Sequence, residues 1–234
     1  MTTAALARTG VTSGWHCLEV GAGSGSVAGW LARQVAPDGT VLATDIDPVP
    51  IPPLPGLKVA RHDIVRDPLP EAAFDLIHAR LVLLHLPERI AVLHRMARAL
   101  RPGGWLQLDE FDVSYWPVLL APDEKARELY EKFAAAKISS MRSAGVDVTW
   151  GRRLGTAMRD GGLTEIDVVP RLQPWRGGSA GARLQIHNTF HLRDALVGAG
   201  MVDAELAEVR EVMTDPDFMA LCVLHSVRGR RPAA

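Results

Sequence analysis

The stretch LEVGAGSGS, residues 18–26, decides the fold of this chain. It joins an apolar run that ends at Val20 to a helix-like segment, residues 27–35, through three glycines at alternate positions. A strand, a glycine turn and a helix start in this order let the backbone approach a ligand, because glycine carries no Cβ. The stretch therefore predicts a nucleotide-like ligand at a strand-to-helix turn.

Two residues of this stretch limit what the ligand can be. Glu19 places a carboxylate ahead of the first glycine, which suits a ligand with positive charge better than a pyrophosphate. Ser26 stands where the dinucleotide fingerprint has its third glycine or alanine. Both residues argue against a nicotinamide or flavin dinucleotide.

Strand-like and helix-like segments alternate through the first half of the chain. The predicted strands are 15–20, 40–44, 57–61, 74–79 and 105–108, and the predicted helices are 27–35 and 87–100. Five prolines within residues 48–55 exclude a helix there, so this connection is predicted to be extended. Strands alternating with helices imply an α/β fold with a parallel sheet and right-handed crossovers.

The second half is predicted to consist mainly of helices. Two of them precede a sixth strand, and two more lie between the sixth strand and the seventh. The predicted helices are 122–141, 151–160, 183–197 and 203–212, and the predicted strands are 163–169 and 218–227. Two stretches, about 112–145 and 182–213, interrupt an otherwise sheet-forming chain. Such insertions tend to cover the carboxyl ends of strands, where open α/β sheets bind ligands.

Carboxylates follow two of the predicted strands. Asp45 closes the second strand, where its carboxylate can accept charge-assisted hydrogen bonds from both hydroxyls of a ribose. Asp63 closes the third strand, where its carboxylate can accept a hydrogen bond from the amine of an adenine ring held between Ile46 and Ile64. Taken singly, each aspartate also fits a turn or a cap at a strand end.

These motifs together resemble the class I S-adenosylmethionine-dependent methyltransferases, in the subgroup of small-molecule and ubiquinone-type enzymes. The resemblance covers roughly residues 14–112. The motifs that carry it are EVGAGSG at 19–25, TDID at 44–47, HDI at 62–64, FDLIHAR at 74–80, LHLP at 84–87 and ALRPGG at 99–104. It implies a Rossmann-like, seven-stranded, mostly parallel sheet with an antiparallel last strand and helical cap insertions. Residues 1–111 would form the cofactor-binding half, and 112–234 the remainder of the same domain with the lid.

The resemblance also implies the residues that bind the cofactor. Gly21, Ala22 and Gly23 would pack against its methionine portion, and Glu19 would lie near the ammonium or sulfonium. Asp45 would bind the ribose, with Ile46, Asp63 and Ile64 holding the adenine. Ala79 and Arg80 would line the methionine end, where Arg80 could pair with the carboxylate. His85 would lie near the methyl-transfer region or be structural only.

The acceptor side is harder to read. Substrate-facing candidates are Glu110, Asp112, Tyr115, Trp116, Trp150, Trp175, His187 and His191. The aromatic residues indicate a flat or apolar acceptor, such as an aromatic or polyketide-like metabolite of secondary metabolism, or else they belong to the core. His187 is a candidate general base or a surface histidine. No metal is expected, because Asn188 stands where a helical zinc motif would have its glutamate.

Composition and charge restrict the partners. The chain has 234 residues, 47% of them hydrophobic, and a formal net charge of −1, which argues against nucleic acid. No apolar run of membrane-spanning length is present, so no membrane partner and a cytoplasmic location are expected. The two cysteines, Cys17 and Cys222, are expected to be buried thiols. The cap of the site would come from the two insertions, from the partner subunit of a homodimer, or from a longer N-terminus.

The predicted function is methyl transfer from S-adenosylmethionine to a small metabolite by direct in-line displacement. The methyl group is already activated, so the protein needs chiefly to align the acceptor and exclude water. Two alternatives stay open: an S-adenosylmethionine-binding homologue that does not methylate, and an NAD(P)-dependent oxidoreductase.

Overall fold

The computed structural model describes residues 2–233 and contains an α/β fold built on one eight-stranded sheet. The strands are β1 (His16–Val20), β2 (Thr40–Asp45), β3 (Leu57–Arg61), β4 (Phe74–Arg80), β5 (Leu100–Asp112), β6 (Val118–Leu120), β7 (Thr164–Arg176) and β8 (Met219–Arg230). The helices are α1 (Thr2–Ala7), α2 (Ser26–Val35), α3 (Arg89–Ala99), α4 (Glu124–Ser143), α5 (Trp150–Asp160), α6 (Ala180–His191), α7 (Arg193–Gly198) and α8 (Asp203–Val212), with a short 3-10 helix at Leu83–His85.

The strand order is β3-β2-β1-β4-β5-β8-β6, and β7 pairs with β8. The strands from β1 to β5 are parallel to their neighbours, whereas the last strand is antiparallel. The predicted fold class is therefore confirmed. The sheet has one strand more than predicted, because the three-residue strand β6 pairs antiparallel with β8 and is too short to show an alternating pattern in the sequence.

Several boundaries differ from the sequence prediction. The predicted helix 183–197 is two helices, α6 and α7, separated at Leu192. β7 continues to Arg176, beyond the predicted strand 163–169, and the helix α1 has no counterpart among the predicted helices. The proline-rich segment 48–55 has no regular secondary structure, as its prolines require.

The chain divides into two compact units. The described part of unit 1 comprises residues 2–110, 150–169 and 225–233, and unit 2 comprises residues 111–149 and 170–224. Unit 2 contains both of the stretches, 112–145 and 182–213, that the sequence suggests as lid insertions. Residues 150–169 and 225–233 belong to unit 1 together with residues 2–110. The division of one domain at residue 111 stays a prediction.

Each unit has its own apolar core. In unit 1, α2 packs its buried face on the sheet, and the cluster includes Cys17, Leu31 and Val41. In unit 2, Phe133, Phe218 and Cys222 belong to a cluster contributed by α4, α8 and the strands beside them. Both cysteines are buried free thiols. Within residues 2–233, the helices are all too short or too polar to cross a membrane.

One cation lies inside the core of unit 2. Lys137 of α4 is 5% exposed, and its Nζ donates a hydrogen bond of 2.6 Å to Oε1 of Gln185. The same nitrogen lies 4.6 Å from the centre of the Trp116 ring. Burial lowers the pKa of Lys137 to about 7, because the apolar surroundings disfavour the charged form.

We expect the double substitution Lys137→Met with Gln185→Leu to stabilise the protein at pH 6 by about 1–3 kcal/mol. Removing both partners leaves no buried polar group unpaired. Because the pKa is lower in the folded than in the unfolded chain, the penalty is complete below pH 7 and fades as pH rises toward 10.5. Urea unfolding at pH 6 and pH 9.5 measures this. Equal stabilisation at both pH values would contradict a charged Lys137 in the core.

Candidate functional site

The glycine turn between β1 and α2 has the backbone conformation that its sequence predicts. Gly21, Gly23 and Gly25 have φ angles of 69°, 48° and 78°, all in the left-handed region. A Cβ at Gly21 would overlap the side chain of Val82, and a Cβ at Gly25 would lie 2.5 Å from the side chain of Ile51. The turn therefore has no room for side chains at these two positions.

Asp45 stabilises this turn from the end of β2. Its Oδ2 accepts a hydrogen bond of 2.9 Å from the backbone N–H of Gly23, and its Oδ1 accepts one of 3.1 Å from that of Asp47. Asp63 follows β3, and its Oδ1 accepts a bond of 2.9 Å from the N–H of Val65. Both carboxylates keep lone pairs for further donors, since each oxygen can accept more than one hydrogen bond.

A cavity of about 340 Å³ lies at the carboxyl ends of β1, β2, β3 and β4. It is lined by Val20, Gly21, Asp45, Ile46, His62, Asp63, Ile64, Arg80, Leu81, Val82, His85 and Leu86. The cavity brings together two carboxylates, a guanidinium and several apolar side chains. A larger groove of about 520 Å³ beside α3 and α5 has no glycine turn and no strand-end carboxylate, so we assign the candidate site to the first cavity.

The two isoleucines of the lining differ in their exposure to solvent. Ile46 is 60% exposed, whereas Ile64 is 7% exposed. Both line the cavity together with Asp63. This fits the adenine position that the resemblance implies.

The structure places Glu19 differently from the prediction. Its carboxylate is 2% exposed and does not line the cavity, and Oε2 is 2.6 Å from Nδ1 of His78. Glu19 lies two residues before the first glycine of the turn. In the sheet it pairs with His78 of β4, and its side chain contacts that residue. An ammonium beside Glu19 would have to replace the imidazole, so a direct role for this carboxylate is not supported.

His78 lies between two buried carboxyl groups. On the far side of the ring, Nε2 is 3.7 Å from Oδ2 of Asp109, a residue that also accepts hydrogen bonds from Thr2, Gln107 and Ser226. Burial opposes a charged imidazole, but the charges of Glu19 and Asp109 and the hydrogen bond to Glu19 outweigh it and raise the pKa of His78 to about 9. Likewise, burial opposes ionisation of Asp109, but its hydrogen bonds and the charge of His78 lower its pKa to about 2. Burial raises the pKa of Glu19. This network could not be predicted from the sequence, because the pattern of β4 does not show which side chains of the neighbouring strands contact His78.

The residues implied for the methionine end fall into two groups. Gly21 and Arg80 line the cavity, whereas Ala22, Gly23 and Ala79 do not. Ala79 is fully buried in β4. The backbone of Gly23 still contributes through its bond to Asp45.

The catalytic candidates lie in different units. His85 is exposed and lines the cavity in unit 1. His187 and His191 are exposed on α6 of unit 2, with ring centres 4.0 Å apart. A catalytic role for His85 or His187 stays a prediction.

Five of the predicted substrate-facing residues are interior side chains: Glu110, Asp112, Trp116, Trp150 and Trp175. Trp116 and Trp175 are 7% and 6% exposed, and their rings pack 5.9 Å apart in the core of unit 2. Glu110 is fully buried in unit 1, where it binds backbone N–H groups. Large aromatic rings stabilise a core by burial, and this explains the two tryptophans without a ligand. Tyr115 is 54% exposed, and its role as a substrate contact stays a prediction.

The order of strands, the glycine turn and the strand-end carboxylates define a Rossmann-like domain of the methyltransferase type. A family model described as "Methyltransferase domain" matches residues 18–106, which include the turn, Asp45, Asp63 and Arg80. The resemblance to methyltransferases that the sequence motifs carry is thus supported over residues 18–106.

Similar proteins agree with this assignment. Methyltransferase str2 of Strobilurus tenacellus is 39% identical over 139 residues, which are 58% of this chain and 49% of the relative. The ubiquinone/menaquinone biosynthesis C-methyltransferase UbiE of Cupriavidus necator is 30% identical over 139 residues, 53% of each chain. This chain thus spans about half the length of the curated relatives that it matches. The solved structure of the YcgJ protein from Bacillus subtilis has the same fold, with a TM-score of 0.62 at 12% identity over 100% of this chain and 98% of that one.

Proposed function

We propose that this protein transfers a methyl group from S-adenosylmethionine to a small-molecule metabolite. The observation that carries the proposal is the cavity of about 340 Å³, in which the glycine turn, Asp45, Asp63 and Arg80 meet. Two of the relatives are named methyltransferases, and one of these acts in quinone biosynthesis. A small, flat or apolar acceptor is therefore the class we favour.

The residues around the cavity fit the proposed cofactor. Gly21 lines the cavity, so its backbone is available to a ligand there, while the side chain of Val82 occupies the position that a Cβ of residue 21 would take. Asp45 would hold the ribose hydroxyls, Asp63 and Ile64 the adenine, and Arg80 the carboxylate of the amino-acid portion. When bound, S-adenosylmethionine supplies a methyl group activated by the positive sulfur.

The chain's own task is to bind and orient. Donors and acceptors fixed on strand ends keep the cofactor in one position, and positioning can contribute on the order of 7–11 kcal/mol to the rate of a two-substrate reaction. A base is required only for an acceptor that must lose a proton. His85, exposed at the wall of the cavity, is the base candidate that unit 1 provides.

Calorimetric titration with S-adenosylmethionine, S-adenosylhomocysteine and NAD tests the cofactor. We expect binding of the first two and none of the third. Binding of NAD alone would favour the oxidoreductase alternative and refute the proposal. A metabolite screen with labelled cofactor then tests the reaction. A product heavier by one methylene unit supports methyl transfer, whereas cofactor binding with a changed but unmethylated metabolite would favour the non-methylating alternative.

A further inference from the structure

The turn that follows β4 forms much of one wall of the cavity. Together with Arg80, the last residue of β4, it contributes five of the lining residues: Arg80, Leu81, Val82, His85 and Leu86. They include the guanidinium proposed to hold the cofactor's carboxylate. The position of this turn therefore decides where the amino-acid portion can bind.

The backbone of the turn is held from the neighbouring strand by a side chain. Oε1 of Glu110, in β5, accepts hydrogen bonds from the N–H groups of Val82 at 3.2 Å and Leu83 at 2.7 Å. These N–H groups open the 3-10 helix Leu83–His85, whose N-cap residue, Val82, makes no side-chain capping bond. Glu110 thus supplies from β5 the acceptor that a helix start normally takes from its own N-cap.

The conformation that Glu110 holds is a strained one. Leu81 has a φ of 58°, in the left-handed region that a leucine rarely adopts. The N–H of Leu81 donates a hydrogen bond of 2.9 Å to the carbonyl oxygen of Asp109. The turn is therefore bound to the end of β5 at Leu81 as well as at Val82 and Leu83. Next to Leu81, the side chain of Val82 fills the space against Gly21. Loss of these hydrogen bonds would allow Leu81 to leave its strained conformation, and Arg80 and Val82 would move with it.

We propose that Glu110 is a positioning residue for the amino-acid portion of the cofactor, acting through the N–H groups of Val82 and Leu83 on the turn that carries Arg80. The inference rests on the proposed function, since it assumes that the cavity takes an S-adenosyl compound. It replaces the prediction that Glu110 contacts the acceptor. The adenosine side, at Asp45, Asp63 and Ile64, does not depend on this turn.

Glu110 acts through the oxygen that accepts the two hydrogen bonds. A substitution that keeps this oxygen is therefore a conservative variant. Oε1 accepts both bonds, and Oε2 is buried without a hydrogen-bond partner among the described residues. Burial raises the pKa of Glu110 to about 8, against the backbone bonds that oppose this, so the group is largely neutral at pH 7. A glutamine keeps the oxygen and matches the neutral form.

The test compares two ligands that differ only at the amino-acid end: S-adenosylhomocysteine, and 5′-methylthioadenosine, which lacks that portion. For Glu110→Ala we expect the Kd of S-adenosylhomocysteine to rise about tenfold or more, and that of 5′-methylthioadenosine to stay within about twofold. Glu110→Gln should bind both within about threefold of the wild type. Leu108→Ala is the control, because it removes a buried side chain of the same strand that makes no bond to the turn.

Each outcome decides between the hypotheses. Equal weakening of both ligands by Glu110→Ala, or a Glu110→Gln protein as weak as the alanine variant, would overturn the positioning role, as would no weakening at all. If the alanine variant does not fold, Glu110→Asp, which shortens the reach by one methylene, is measured against the same criteria. A wild-type protein that binds neither ligand would overturn the proposed function itself, and this inference with it.

Discussion

Replacing His78 by leucine is expected to lower the free energy of unfolding by about 3–5 kcal/mol, since the change leaves Glu19 buried without its partner. For a chain of this length, that corresponds to a fall of roughly 10 °C in Tm. Thermal unfolding followed by circular dichroism measures it. His78→Gln, which keeps a donor without the charge, should lose less than the leucine variant.

The effect of His78 should depend on pH in a defined direction. The pKa of His78 is about 9 in the folded protein, above the 6.5 of an unperturbed histidine. The stabilisation is therefore complete below pH 6.5 and is lost as pH rises through 9. The difference between the wild type and His78→Leu should accordingly shrink between pH 7 and pH 10. A difference that stays constant across this range would contradict a charged imidazole between the two carboxyl groups.

A control keeps this experiment specific. His187 is exposed on α6, so His187→Leu should change the free energy of unfolding by less than about 0.5 kcal/mol. If His78→Leu were equally harmless, the buried network would not contribute to stability.

Replacing Asp45 by alanine is expected to weaken the binding of S-adenosylhomocysteine about 100-fold or more. Two charge-assisted bonds to ribose hydroxyls would be lost, each contributing about 1.5–3 kcal/mol, and about 1.4 kcal/mol corresponds to a factor of ten. The bond that Asp45 accepts from the N–H of Gly23 would be lost as well, which loosens the glycine turn. Isothermal titration calorimetry measures the change.

Two further variants separate charge from packing at this position. Asp45→Asn keeps one acceptor oxygen and should weaken binding only about tenfold. Asp47→Ala removes an exposed carboxylate two residues away, and binding should stay within about twofold. If Asp47→Ala weakened binding as much as Asp45→Ala, the ribose contact would be assigned to the wrong residue.

Much of the fold could be predicted because local pattern and global architecture agree in this chain. The glycine turn at 21–25 fixes both the end of β1 and the start of α2, and the observed φ angles are those that only glycine adopts readily. β3 and α8 have the bounds that the sequence predicts. The strand β6 could not be predicted, because a three-residue strand depends on its pairing with β8 and not on its own pattern.

The limits of prediction at the site have a different cause. Asp45 and Asp63 stand at strand ends, where position alone directs a side chain toward the cavity. Glu19 lies inside a strand, and only the partner that faces it, His78, decides whether its carboxylate is available. The prediction that Glu110 contacts the acceptor is wrong for the same reason. No sequence pattern shows that its carboxyl group accepts hydrogen bonds from the turn that follows the neighbouring strand β4.

The proline-rich segment 48–55 has a consequence for how the site is kept in order. Its five prolines already restrict the unfolded chain, so this stretch gives up less conformational freedom on folding than a flexible loop of equal length. Ile51 and Leu54, held by that stiff backbone, pack against Gly25 and Gly29 at the first turns of α2. The chain thereby keeps the start of α2 in place beside the cavity by entropic restraint, in a crossover that contains no helix.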